Sequence, residues 1–201
     1  MVSVEPDETS QVILKQSFLR YRLRKKPLFL VAKAVSDKAS FERLLIDAPG
    51  SAKNTLSNKW AETLRVDDRR FGQRLDFGHW KDVETTTIEQ LIAVYGLPFF
   101  IKIDVEGHEL SVLRGMKRAV PYLSFEVNLP EFRSEGLECI QTLGRLSENG
   151  TFNYTADCRC GLGLERWVDS QEFGSILSSC SENSIEVLWK TPVSEWGKTD
   201  N

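Results

Sequence analysis

The chain is short of the features that mark several common protein classes. Its 201 residues include two histidines and four cysteines. Cys139, Cys158, Cys160 and Cys180 are too few and too unevenly spaced for a disulfide framework. Cys158-x-Cys160 lacks the spacing of common zinc sites, and both histidines lie far from it. Reduced thiols are the expectation, and with them a cytoplasmic setting. No apolar run approaches the ~18 residues of a membrane-crossing helix. The first ten residues, MVSVEPDETS, lack the basic and apolar regions of a signal peptide. An excess of positive charge is lacking too: the net charge is −3, which argues against general nucleic-acid affinity. Neither nucleic acid nor membrane is an expected partner.

What is present suits a globular chain. At 41% hydrophobic and 27% charged, it can bury a real core, and it contains no internal repeat. One domain over residues 1–192 is expected, with a polar tail at 193–201. One basic run stands out, RYRLRKK at 20–26. No aromatic platform or nucleic-acid motif accompanies it, so a solvated helix end is the favoured reading.

The stretch that organises the chain is FFIKIDVEGHELSVLRGM, Phe99 to Met116. Phe99 to Ile103 is apolar apart from Lys102, which suits a strand buried on both faces. Asp104, Glu106 and Glu109 follow with Gly107 among them, and then Leu110, Leu113 and Met116 recur at three-residue spacing. This pattern predicts a strand, an acidic turn and a helix. In open α/β sheets ligands bind beyond the carboxyl ends of strands, where Asp104 falls. Glu106 and Glu109 admit two readings, a chemical role or simple complement to the helix macrodipole. His108 is a candidate general base or an exposed first-turn histidine. Lys102 lies on the strand face of Asp104 and reads as a paired or snorkelling lysine.

Other elements follow from local signals. Val2 to Val4 is β-prone, and Pro6-Asp7 opens a helix to about Leu19 with Val12, Ile13, Leu14 and Phe18 as apolar members. Leu28 to Val35 predicts a second buried strand ending at Ser36-Asp37, and Phe41 to Ile46 a further one. Residues 47–83 predict short strands or a hairpin, with His79 as loop surface. Thr86 to Glu89 and Thr87 to Gln90 have capping-box spacing, and Gly96 and Pro98 close that helix. Strands at Leu123 to Val127, Phe152 to Ala156 and Ile185 to Trp189 alternate with helices at Glu135 to Ser147 and Asp169 to Ser179. The alternation predicts a doubly wound α/β sheet.

On these residues the sequence resembles the FkbM family of S-adenosylmethionine-dependent methyltransferases. IKIDVEGHELSVLRGM (Ile101 to Met116) carries the resemblance. VSVEP (Val2 to Pro6), KAVSDK (Lys33 to Lys38), TTTIEQLI (Thr85 to Ile92) and LSFEVN (Leu123 to Asn128) support it, in the family's order. The resemblance implies a Rossmann-like class I methyltransferase sheet, mostly parallel with a late antiparallel strand. It implies S-adenosylmethionine as cofactor and a hydroxyl of a small molecule or sugar as acceptor. By position, Glu5 would hold the ribose hydroxyls, Ser36 and Asp37 would lie near the adenine, and Asp104 near the methionine portion or the transferred methyl. Glu5 and Asp104 would face one crevice. Glu106 and His108 would face the acceptor.

The family's first strand and Gly-rich turn would precede VSVEP, and here only Met1 does. The first strand is therefore expected to be missing. The alternatives are a fragment, a catalytically inactive or binding protein of the same outline, and a partner or upstream segment that supplies the strand. Gly161 and Gly163 are no substitute, because they follow no convincing strand. A metal-assisted reading would use Asp104, Glu106 and Glu126, whose oxygens suit Mg²⁺. D-V-E is not the D-x-D-x-T of haloacid-dehalogenase-like phosphatases, and no metal is assigned. A nicotinamide dehydrogenase lacks its fingerprint.

Overall fold

The computed structural model describes residues 1–20, 27–156 and 161–197. Most of the basic run (21–26), the Cys158-x-Cys160 pair and residues 198–201 lie outside the described residues. The chain forms two compact units, Met1–Thr87 and Ile88–Asn201.

In the first unit, β1 (Val2–Val4) pairs in parallel with β2 (Phe29–Val31), Val2 opposite Phe29 and Val4 opposite Val31. Glu5 N–H donates to the Val31 carbonyl at 3.0 Å and prolongs the ladder by one bond. Asp7 Oδ1 accepts the Ser10 amide at 2.8 Å, so α1 (Glu8–Arg20) starts where Pro6-Asp7 predicts. Its apolar members do not form core: Val12 and Ile13 are half exposed, and no α1 residue is buried.

The expected strand from Leu28 to Val35 is two strands. After β2 the chain leaves β1, and β3 (Ala34–Val35) pairs in parallel with β5 (His79–Thr86). Lys33, at the break, forms an ion pair with Glu84 of β5 at 2.6 Å. Ser36 and Asp37 therefore follow β3 and not the partner of β1. β4 (Phe41–Ile46) runs antiparallel to β5, so His79 belongs to a strand and not a loop. Within residues 47–83 the structure has a helix the sequence reading omitted, α2 (Asn58–Val66). Ser57 caps it by accepting the Trp60 amide, and Trp60, Ala61 and Leu64 form its buried face. A small core of Ala34, Leu44 and Val83 lies under this sheet.

In the second unit, four strands stand in the order β6 (Phe100–Ile103), β7 (Tyr122–Asn128), β9 (Ser184–Lys190) and β8 (Thr151–Thr155). β6 and β7 are parallel, whereas β9 runs antiparallel to both β7 and β8. The central strands carry the core: Leu123, Phe125, Val187 and Trp189 are fully buried. α3 (Ile88–Tyr95) precedes the sheet, α4 (Glu109–Arg114) follows β6, and α5 (Arg133–Leu146) and α6 (Ser170–Ser179) complete the unit. Asp169 caps α6 by accepting the Glu172 amide, as its spacing predicts.

Three expectations need correction here. β6 is not buried on both faces: Phe100 and Lys102 stand exposed on one face, 51% for Phe100, while Ile103 is buried on the other. The Glu89 carboxylate does not close a capping box with Thr86. It accepts the Lys117 amide and the Arg118 guanidinium instead. The sheets are mixed and not mostly parallel, since three of six strand pairings among the described residues are antiparallel. Val193–Glu195 forms a 3-10 turn, Glu195 accepts hydrogen bonds from Ser147 and Asn149, and Gly197 N–H donates to Ala119.

Candidate functional site

The site is built just past the carboxyl end of β6, beside the last three residues of its parallel neighbour β7. Ile103 pairs with Phe125, so the next residues along β6 and β7, Asp104 and Glu126, are neighbours. The turn after Asp104 brings Glu106 back toward them. Carboxylate oxygens of Asp104, Glu106 and Glu126 all lie within 4.8 Å of one another. That spacing would admit a hard cation with oxygen ligands.

The turn depends on two left-handed residues in succession, Glu106 at φ 52° and Gly107 at φ 86°. Glycine takes this conformation freely, and glutamate does so at a cost of about 1–2 kcal/mol. His108 then stands at the N-cap of α4 without a side-chain capping bond to the helix. Glu109, which follows, is only 6% exposed. Burial pushes its pKa up to about 7, with the amides of Glu109 itself, Gly107 and Val105 pulling down and the charge of Glu106 pushing up.

Lys102 supplies the positive charge. Its ammonium lies 2.6 Å from Glu186 and 3.6 Å from Asp104. Burial alone would lower its pKa. The hydrogen bond and charge of Glu186, with Asp104 and Glu126 behind, outweigh that and raise it. Glu126 is held in turn: Ser184 Oγ donates to one carboxylate oxygen at 2.5 Å, and the Asn128 amide lies 3.5 Å from the other.

Glu5, Ser36 and Asp37 belong to the first unit. Glu5 is partly buried just beyond β1, and its Oε1 accepts the Asp7 amide at 2.7 Å. Burial raises its pKa, the Asp7 N–H opposes this, and the Asp7 charge adds to it. Ser36 is buried, with its amide on the Thr86 carbonyl at 2.9 Å, and Asp37 is exposed.

The model of the methyltransferase FkbM domain matches residues 1–152. The chain belongs to this family. Its chemistry is methyl transfer, and the candidate site residues Glu5, Ser36, Asp37, Asp104, Glu106 and His108 lie inside the matched FkbM region. No curated protein and no solved structure matches the chain. Glu186 and Ser184, which hold Lys102 and Glu126, lie beyond the FkbM match. Sequence reasoning missed them, although Glu186 interrupts the buried positions Ile185, Val187 and Trp189 of β9. Among the described residues no helix is long and apolar enough to cross a membrane.

Proposed function

We propose that the chain transfers a methyl group from S-adenosylmethionine to a hydroxyl oxygen of a small molecule or sugar. The observation that carries this reading is the meeting of Asp104, Glu106 and Glu126 at the carboxyl ends of two parallel strands, inside the FkbM match. Ligands of open α/β sheets bind at such ends. Acids there accept hydrogen bonds from an amine or a hydroxyl, as the methionine portion and the acceptor require.

The residues present fit the donor chemically. A carboxylate has about four acceptor sites. Glu5 uses one oxygen on the Asp7 amide and so keeps capacity for a ribose diol. Ser36 and Asp37 are assigned to the adenine. S-adenosylmethionine supplies an electrophilic methyl on a sulfonium. Asp104 serves the methionine portion or the methyl, and Glu106 and His108 face the acceptor. One of these two takes the hydroxyl proton as the oxygen–carbon bond forms and the carbon–sulfur bond breaks. Their main contribution is to hold the acceptor in line.

The reading of one domain over 1–192 in a cytoplasmic setting belongs to this proposal. So does a strand supplied beside β1 or β6 by a partner or an upstream segment. Isothermal titration with S-adenosylhomocysteine is the test. Micromolar binding that is lost in E5A supports the reading, and an acceptor screen by methyl-label transfer follows. A folded chain that ignores millimolar ligand is instead an inactive or binding protein of the same outline.

A further inference from the structure

We propose that Glu109 is a positioning residue: its carboxylate folds back under the preceding turn and holds Glu106 beside Asp104 and Glu126. What those acids serve rests on the function proposed above; the clamp itself does not.

The turn needs holding. Glu106 has a Cβ and yet sits at φ 52°, followed by Gly107 at φ 86°. Two left-handed residues in a row leave backbone N–H groups turned inward. The Gly107 N–H donates to Glu109 Oε1 at 3.1 Å, and the amides of Glu109 and Val105 also stabilise the carboxylate. One side chain thereby gathers amides from both sides of Glu106. The N-cap residue His108 makes no side-chain capping bond, and the Glu109 carboxylate reaches back to the turn.

The alternative is that Glu109 merely complements the helix dipole. A dipole-stabilised acid is exposed and easily ionised. Glu109 is buried, and its ionisation is disfavoured. It lies against a cavity of about 10 Å³, lined also by Glu126, Glu135 and Cys139. The charged and titratable groups that face it are Glu106 from the turn, Glu126 from β7, and Glu135 and Cys139 from α5, with Arg114 and Glu138 acting on Cys139 behind. Most of these are acidic or become so. Burial among acids works against the charged form that the dipole would favour, so the contribution of Glu109 is the shape of the turn.

The test is amide NMR of the full chain with E109A and E109Q. Gln keeps an acceptor oxygen and Ala does not. E109A is expected to speed hydrogen exchange of Gly107 about tenfold, as loss of one such hydrogen bond implies, while Phe125 in β7 is unchanged. E109Q is expected to keep Gly107 near wild type. Unchanged Gly107 exchange in E109A overturns the clamp. Should E109A not fold, pH titration of wild type against E109Q decides. A Gly107 shift with midpoint near 7 in wild type and none in E109Q supports the clamp. The same shift in both, or in neither, overturns it. None of these readouts uses S-adenosylmethionine, so loss of cofactor binding would sink the function and leave the clamp standing.

Discussion

Lys102 and Glu186 reach each other across the strand that separates them, with the ammonium 2.6 Å from the carboxylate and β7 between their backbones. Asp104 stands 3.6 Å from the same ammonium. One cation thus serves an acidic cluster. Removing it in K102M is expected to cost about 1 kcal/mol at low salt, because Lys102 is 42% exposed and water screens the pair. Added salt should restore much of this loss in K102M, since it screens the acids left facing one another. Urea unfolding at two ionic strengths checks both statements. Equal salt dependence in wild type and variant would reject them.

The buried Glu109 makes stability depend on pH in a definite direction. The unfolded carboxyl ionises near 4.5 and the folded one near 7. Between these values the native state holds the extra proton. Stability therefore falls as pH rises from about 4.5 to about 7, and this contribution is flat above. The full shift corresponds to about 3 kcal/mol. E109Q should remove that slope and unfold at higher urea than wild type at pH 8, with little difference at pH 4.5. Parallel pH profiles would contradict the assignment.

Helix α5 packs tightly on the sheet through Gly136. A Cβ there would stand 2.8 Å from Val127 Cγ1 and 3.2 Å from Leu177 Cδ2. Alanine favours a helix over glycine by about 1 kcal/mol. Overpacking against a buried β-branched side chain costs about 1–3 kcal/mol. The second effect wins, and G136A should lower the thermal midpoint. A midpoint above wild type would show that α5 can move away from β7 at little cost.

Asn153, fully buried on β8, holds the segment that crosses it. Its amide nitrogen donates to the Leu164 and Arg166 carbonyls, and its oxygen accepts from Leu164 and Tyr154. N153A leaves these backbone groups without that partner. A loss of about 2–3 kcal/mol is expected. Amide exchange should rise first near Leu164. Uniform destabilisation with no local change would count against this account.

The sequence was most informative where local rules act alone. Asp169 and Gly96 punctuate helices through their own backbone needs, and both hold in the structure. The acidic turn was visible because Asp104, Glu106 and Gly107 are close in sequence. Three things depended on distant residues and were not legible. Leu28 to Val35 is apolar apart from Lys33, and a single lysine does not tell a paired strand residue from the point where the chain leaves β1 for β5. The face of α2 is Trp60, Ala61 and Leu64 amid charge, which hides its period. Glu89 satisfies the spacing of a capping box, but Lys117 and Arg118 claim its carboxylate. Glu109 was noticed with two readings open, because exposure and burial look alike in a first helical turn.

The uncovered side of β6 bears on how the protein behaves at concentration. Among the described residues β6 has a ladder partner on one side alone, and such an edge, with Phe99 and Phe100 exposed at its start, is a template for another chain's backbone. Lys102 is the single charge along that strand. A lysine on an edge strand opposes pairing with another chain, so the cation that steadies the acid cluster also bears on what can pair with β6.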